Sequence, residues 1–593
     1  MSAPDPTANA NRPITALSEG ARYRKLPVNP CPLRVLHGHA AIARAILERV
    51  RHAPRPLVVC DGFVGAQWDA WRKGLTPALA ALGQNPVWID VNEALNDCDP
   101  RREAVVQFHL TDDPIFGRIC RGDIAGWFDS DKLRLLAERV DAMRGLVILY
   151  GAGASLVQGA GDCLLYVDVS KEVFQERCRK RATTNFACRE SFAFGEMYKR
   201  AFYIDWPVLN REKRRLLPHL DFVVDESDPD TPKAIAGEGF RAALEHISRA
   251  PVRVKPFFLP GPWGGQWMKE HFALPPQAPN FAWSYELIAP ENGILLGSET
   301  EWLEVSFDYL LWQEADSLMG RRVTNLFGGL FPIRFDYLDT MQGGNLSCQV
   351  HPRVDYIREE FGEPFTQHES YYVMQAEPGA RVYLGLCEDT DPASFRRAAE
   401  QADRDGRRFE IGAYVNSFPS ARHDLFLIPA GTVHCSGSGN LVLEISATPY
   451  IYTFKIYDYL RKDLNGELRH VSVERAFANI DFSRRTQWVA RHLKPTPRLL
   501  RGDDAAAEYV IGDSELLFFA IHRLEFAREI SDAANGRFLV LNLVEGERAE
   551  IQSAGRTAEI RYGETVIIPA CIGEYRLINC SSAPLKVVKA FVR

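Results

Sequence analysis

The sequence predicts a multidomain chain: an amino-terminal α/β unit with a parallel sheet, then an all-β region of barrels carrying a helical insertion. Three observations predict it. A chain of 593 residues exceeds one hydrophobic core, and roughly three or four domains are expected at such a length. Before residue 250, short apolar runs such as PLVVC, LVILY and LLYVDV alternate with stretches of helical period, the pattern of a parallel sheet. A Pro- and Gly-rich stretch, APVRVKPFFLPGPWGGQW, follows, and beyond it the composition shifts to short aromatic-rich strands, the spacing of a sandwich or barrel.

Residues 1–54 form an extension whose opening, MSAPDPTANANRP, reads as poorly ordered at its tip. Ala, Ile and Leu at helical spacing predict a helix over His39–Arg51. The next domain, 55–250, starts with the apolar strand Pro56–Cys60, which breaks into DGFVGAQWDAW. Strand, Gly-containing turn and helix are the layout of a phosphate-cradling loop. Counted from Gly62, however, the closing Gly, the Lys and the hydroxyl residue of such a loop fall on Gln67, Trp68 and Asp69. Leu146–Tyr150, Leu164–Val169 and Asp221–Asp225 continue the sheet, and basic residues gather at Arg177–Arg181 and Lys213–Arg215.

From 251 to 500 the strand pattern is interrupted once, by the polar helical insertion near 390–408. This region carries the stretch with the clearest chemistry, Asn345–Glu369. Gln349 and His351 alternate on a strand, so both side chains reach one face. Glu369 precedes another apolar run, and His434 follows the turn Pro-Ala-Gly-Thr. One Gln, two His and one Glu make an N/O ligand set suited to zinc or a similar divalent ion. A lone buried histidine would be read as a core residue; four candidate ligands together are read as a site. The last segment, 501–593, reads as a second small barrel without metal, offering His522 and no spaced ligand set; Cys571 and Cys580 are expected there as buried small residues.

Composition excludes several classes. A net charge of -7 gives no electrostatic case for nucleic acid. Twelve scattered cysteines without a CxxC pair imply free thiols in a reducing compartment. No apolar run reaches membrane-spanning length, and the start lacks the layout of a secretory signal, so a cytoplasmic enzyme without a membrane partner is expected.

Two resemblances sharpen these expectations. Val58–Trp71, Leu164–Arg181 and Pro218–Ser227 resemble the P-loop nucleoside kinases of the uridine kinase type. That implies a degenerate P-loop kinase-like domain and a nucleotide or anion as partner; with the loop Lys missing, a supporting scaffold is the preferred reading. Residues from about 251 onward resemble class I mannose-6-phosphate isomerases of the short bacterial type. The matching segments are KPFFL..PWGGQW, FPIRFDYLD..NLSCQVHP, HESYYVMQAEPGARVYLGL, LFLIPAGTVHCSGSGNLVLEIS and TFKIYDYLR.

That family implies a double cupin of jelly-roll barrels, one zinc per chain on Gln349, His351, Glu369 and His434, and a sugar phosphate as substrate. It isomerises aldose to ketose, mannose 6-phosphate to fructose 6-phosphate, through a cis-enediol. Glu444 and Lys455 are the implied catalytic residues, with a metal-bound water also open as the base. An equally weighted reading of Glu444 is a structural acid paired with Lys455 or Arg461. Gln367, His368, Tyr457, Asp458 and Arg461 are placed at the substrate. The chain departs from the family in two places: Gln367 stands where a Lys is usual and Lys455 where an Arg is usual, which removes a cation and a planar anion-gripping fork. The alternatives are a bifunctional sugar kinase and isomerase, a non-catalytic sugar- and metal-binding regulator, and a cupin oxygenase.

Overall fold

The computed structural model describes residues 23–96, 100–463 and 466–593; the expected disordered tip lies outside the described residues. The chain divides into two compact units, each built from separated segments. One comprises 28–247 and 291–313, the other 248–290 and 314–593 with the described residues 23–27.

In the first unit five parallel strands form the centre of a sheet: β1 (Leu57–Gly62), β2 (Val87–Asp90), β3 (Val147–Tyr150), β4 (Cys163–Asp168) and β5 (Phe222–Asp225). Their spatial order is β2-β3-β1-β4-β5, and the antiparallel strands Lys233–Ala236 and Leu36–His37 extend the β5 edge. The strands are nearly all apolar because helices cover them. Ile42, Ala43, Ile46 and Val50 of the helix Gly38–Val50 pack on Val58, Cys60, Leu165 and Val167, as do Trp71, Leu75 and Leu79 of the helix Trp68–Ala80. Segment 291–313 joins this unit through a three-stranded sheet of Val28–Pro30, Gly293–Gly297 and Trp302–Ser306. The helix Asp308–Gln313 then sets Tyr309 edge-on against Phe240 at 5.0 Å.

The second unit holds two barrels. In the first, a six-stranded sheet runs in the order 425–428, 369–376, 440–447, 333–339, 283–287, 257–259. A five-stranded sheet faces it in the order 415–419, 381–386, 434–436, 348–350, 454–457. The helix Pro392–Asp405 occupies the polar insertion, capped by the Asp391 carboxylate on the Ser394 N–H. The carboxy-terminal barrel pairs a six-stranded with a four-stranded sheet around its own apolar core. Cys571 and Cys580 are exposed there, contrary to expectation, on the short helical turn Ala570–Ile572 and just beyond the strand Glu574–Asn579. No helix among the described residues is long and apolar enough to cross a membrane.

Candidate metal centre

The four expected ligands converge between the two sheets of the first barrel. Glu369 opens the strand Glu369–Ala376 of one sheet, while Gln349 and His434 are register partners on neighbouring strands of the other. His351 follows two residues after Gln349, as the strand alternation requires. His351 Nε2 lies 2.6 Å and His434 Nε2 3.0 Å from Glu369 Oε2, and Gln349 Nε2 is 3.2 Å from His434 Nε2. Among the described residues, His351, Glu369 and His434 are the one group of this kind placed so that it could hold a metal ion.

Each ring is oriented by its other nitrogen. His434 Nδ1 faces Thr432 O at 2.9 Å and His351 Nδ1 faces Tyr452 O at 3.3 Å, which leaves both Nε2 atoms directed inward, the usual arrangement of a metal-binding histidine. The turn Pro429–Thr432 that delivers His434 is held from behind. Arg484, which the sequence reading missed, donates to Pro429 O at 2.7 Å and Ala430 O at 2.8 Å. Gly431 at φ +87° donates to His351 O at 3.0 Å.

Burial alone would raise the Glu369 carboxyl, yet the two facing imidazoles hold it well below the usual carboxylate range. Burial lowers His351 despite that carboxylate. Glu369 Oε1 has no hydrogen-bond partner. A buried carboxylate oxygen without a donor, beside two inward imidazole nitrogens, is a costly arrangement that a divalent cation resolves. Two imidazoles and one carboxylate fit such an ion; Gln349 turns its amide Nε2 toward His434, while its Oε1 accepts from Ser347 at 2.9 Å.

The other expected site residues separate into three places. Lys455 is the register partner of Gln349; burial, with Arg469 adding repulsion, brings its amine down to about 8. Asp458 sits beside it, paired with Arg469 at 2.8 Å and with Arg461 at 3.9 Å. Arg469 was not singled out from the sequence, so three cations surround one carboxylate. Tyr457 packs at a tilt against Phe409 at 4.3 Å and Tyr459 at 4.9 Å, an aromatic packing role. Gln367 is buried two residues before Glu369. His368 is turned elsewhere: its Nδ1 accepts from the Ala430 N–H at 3.2 Å, and burial pushes the ring down to about 4.

Glu444 pairs with neither Lys455 nor Arg461. Register places it between Asp336 and Tyr371, on the interior face that also carries Glu369. Its carboxylate accepts from Arg334 and, at 2.8 Å, from Ser446. Arg334 also lies 3.2 Å from Asp336, whose carboxyl burial pushes up to about 7. Arg334 and Asp336 were missed, though a signal existed: FPIRFDYLD sets two charges two residues apart inside an apolar strand, hence on one face.

In the α/β unit the phosphate-loop position is filled from within. Asp61, at the end of β1, accepts from the N–H groups of Gly62, Gly153 and Ser155 at 2.8–2.9 Å. The Gln67 N–H, at the start of the following helix, donates to Glu226 at 3.0 Å, and Arg177 binds both Glu226 and Gly65 O at 2.7 Å. The basic clusters are likewise engaged: Lys213 pairs with Asp168 at 2.7 Å, and Arg215 donates to Glu212 at 2.9 Å. A cavity of about 310 Å³ opens between the loop Phe63–Ala66 and residues 183–189, with Arg189 the one cation on its wall among the described residues.

Comparison with known proteins gives separate matches, each to part of the chain. Residues 38–249 match a domain of unknown function (DUF8485), which lends no support to the P-loop kinase-like assignment. Over 332 residues, 56% of this chain, the sequence is 25% identical to the mannose-6-phosphate isomerase ManA of Bacillus subtilis and covers 96% of it. It is 23% identical to the mannose-6-phosphate isomerase of Streptococcus mutans, over 53% of this chain and 90% of that protein. Among solved structures, the mannose 6-phosphate isomerase from Bacillus subtilis aligns with a TM-score of 0.46 at 19% identity, covering 57% of this chain and 99% of that one.

Proposed function

We propose that the two-barrel unit is a metal-dependent aldose–ketose isomerase acting on a sugar phosphate, most closely mannose 6-phosphate to fructose 6-phosphate. The observation that carries this is the convergence of His351, Glu369 and His434 on one buried point, with Gln349 and Lys455 alongside. Similarity over most of the length of two curated mannose-6-phosphate isomerases supports it.

Gln349, His351, Glu369 and His434 would hold one zinc ion. Zinc there supplies a Lewis acid for the hydroxyl and carbonyl oxygens of the sugar. Isomerisation takes a proton from C2 of the aldose and returns one to C1. Lys455, with its amine near 8, is matched to that transfer. Glu444, held by Arg334 and Ser446, keeps the Arg334 guanidinium on the interior face and thus acts as a positioning residue. Arg461 and Arg469, beside Asp458, leave surplus positive charge for the phosphate, offsetting the cation missing at Gln367. Tyr457 shapes the wall, and His368 supports the Pro429–Thr432 turn.

For the α/β unit we infer a scaffold role and no phosphoryl transfer. Glu226 already takes the helix N-terminal N–H that a phosphate would need, and Arg177 neutralises it. Titration with ATP and Mg²⁺ should therefore leave its thermal transition unchanged; a clear upward shift would restore the bifunctional reading.

Zinc content and conversion of mannose 6-phosphate are to be measured together, on the wild type and on His351→Ala. Bound zinc with turnover, both lost in the variant, is the expected result. Bound zinc without turnover would overturn the enzymatic assignment and favour a metal- and sugar-binding regulator. Turnover surviving in the metal-free variant would overturn the metal's role.

A further inference from the structure

The carboxy-terminal barrel contains a second polar centre. Its strands place apolar residues at nearly every inward position: Ala520, Leu524 and Phe526 on one, Leu585, Val587 and Phe591 on the next. His522 and Lys589 interrupt both series at register-paired positions. Glu508 does the same on the neighbouring strand Ala506–Gly512, and Asp532 interrupts the Ile530 and Ala534 series across the barrel, opposite Tyr575.

These groups form one network. Lys589 lies 2.6 Å from Glu508 and 2.8 Å from Asp532, bridging the two sheets. His522 Nδ1 meets Glu508 at 2.6 Å, and the Tyr575 hydroxyl donates to Asp532 at 2.6 Å. Buried ion networks add little stability compared with apolar packing, so a polar layer in the mouth of an apolar barrel calls for another reason. The network lines a cavity of about 970 Å³, at the upper end of small-molecule sites, and barrel mouths are common places for them.

Charge indicates the ligand. Lys589 stands where a cation would have to enter, which rules against a metal. Arg501, Arg537, Arg556 and Arg576 line the wall against the single additional carboxylate Glu574, with Arg501 paired to Glu508 at 2.6 Å and to Asp532 at 3.2 Å. Arg537 donates to the carbonyl of Val592 and lies 4.1 Å from the Phe591 ring centroid, while its buried Nε has no hydrogen-bond partner. Gln552, Asn535 and Glu574 offer donors and acceptors suited to hydroxyl groups. We propose that this cavity binds a small polyol phosphate, at a site separate from the metal centre and sharing none of its residues.

Calorimetric titration of the full chain with sorbitol 6-phosphate tests this on wild type, His434→Ala, Arg537→Gln and Lys589→Met. Binding should persist at one site per chain in His434→Ala and weaken roughly tenfold or more in Arg537→Gln. Loss of all binding in His434→Ala would place the only site at the metal centre and overturn the proposal. Unchanged affinity in Arg537→Gln, a partly exposed position that the fold tolerates, would overturn it even if Lys589→Met fails to fold. Inorganic phosphate binding as tightly as sorbitol 6-phosphate would overturn the polyol assignment. Binding that survives in a His434→Ala/Arg537→Gln double variant would place the ligand at the Arg461 and Arg469 cluster and overturn the proposal, whatever the isomerase turnover.

Discussion

Lys455 shows how much a single position depends on its surroundings. An ordinary lysine titrates at 10.5, whereas burial brings this one to about 8. Between those values the unfolded chain binds the extra proton, so stability should rise as pH goes from about 8 to about 10.5. Denaturant titrations across that range on Lys455→Met should lack the rise. As a base Lys455 must be neutral, so kcat should climb as pH passes about 8, and Lys455→Arg should lose the climb while retaining metal. Asp336 behaves in the opposite sense. Its carboxyl is raised from 3.8 to about 7, so the folded chain holds a proton the unfolded chain has released, and stability contributed there is lost as pH rises through that window. Asp336→Asn should therefore melt higher than wild type at pH 8 and no higher at pH 4.

At the scale of elements, two connections decide what each sheet can do. The turn Pro429–Thr432 needs Gly431 at φ +87°, and a Cβ there would meet Asn479 O at 3.1 Å. Gly431→Ala should cost about 1–3 kcal/mol and misplace His434, read as weaker zinc affinity in a competition assay with a chelator. In the α/β unit the buried Arg177–Glu226 pair, 2.7 Å apart, closes the loop after β1. Removing one partner leaves an uncompensated buried charge, so Arg177→Met should destabilise that unit by about 3–5 kcal/mol, measured by urea unfolding. An Arg177→Met variant as stable as wild type would mean that water reaches the loop and that the clamp is not closed.

For the whole molecule, an ion held by His351, Glu369 and His434 would link metal binding to folding through the first barrel, because these residues come from both sheets. Chelation by EDTA should lower the melting temperature by an amount that grows with metal affinity. The Lys589→Met variant should show the same EDTA shift, since Lys589 lies away from the group His351, Glu369 and His434. The discontinuous units explain why a linear reading of domains runs short: strand Gly293–Gly297 pairs with Val28–Pro30, a partner more than two hundred residues upstream that leaves no local mark.

The sequence by itself determined the alternation of strand and helix before residue 250, the strand-rich region after it, and the candidate ligands Gln349, His351, Glu369 and His434, three of which the fold brings together. These are local or periodic properties: apolar runs, period two, turn residues before His434. Only the tertiary structure decided which charges face one another. Glu444 was legible as an interior acid, but its pairing with Arg334 follows from the register of two strands 110 residues apart. Arg469 and Arg484 lie in segments without periodic signal and acquire meaning only when folding brings them to Asp458 and to the Pro429–Thr432 turn. The polar layer of Glu508, His522, Asp532 and Lys589 was reduced in sequence to a lone His522, because its members come from four strands and electrostatic partnership across a barrel depends on distance in space.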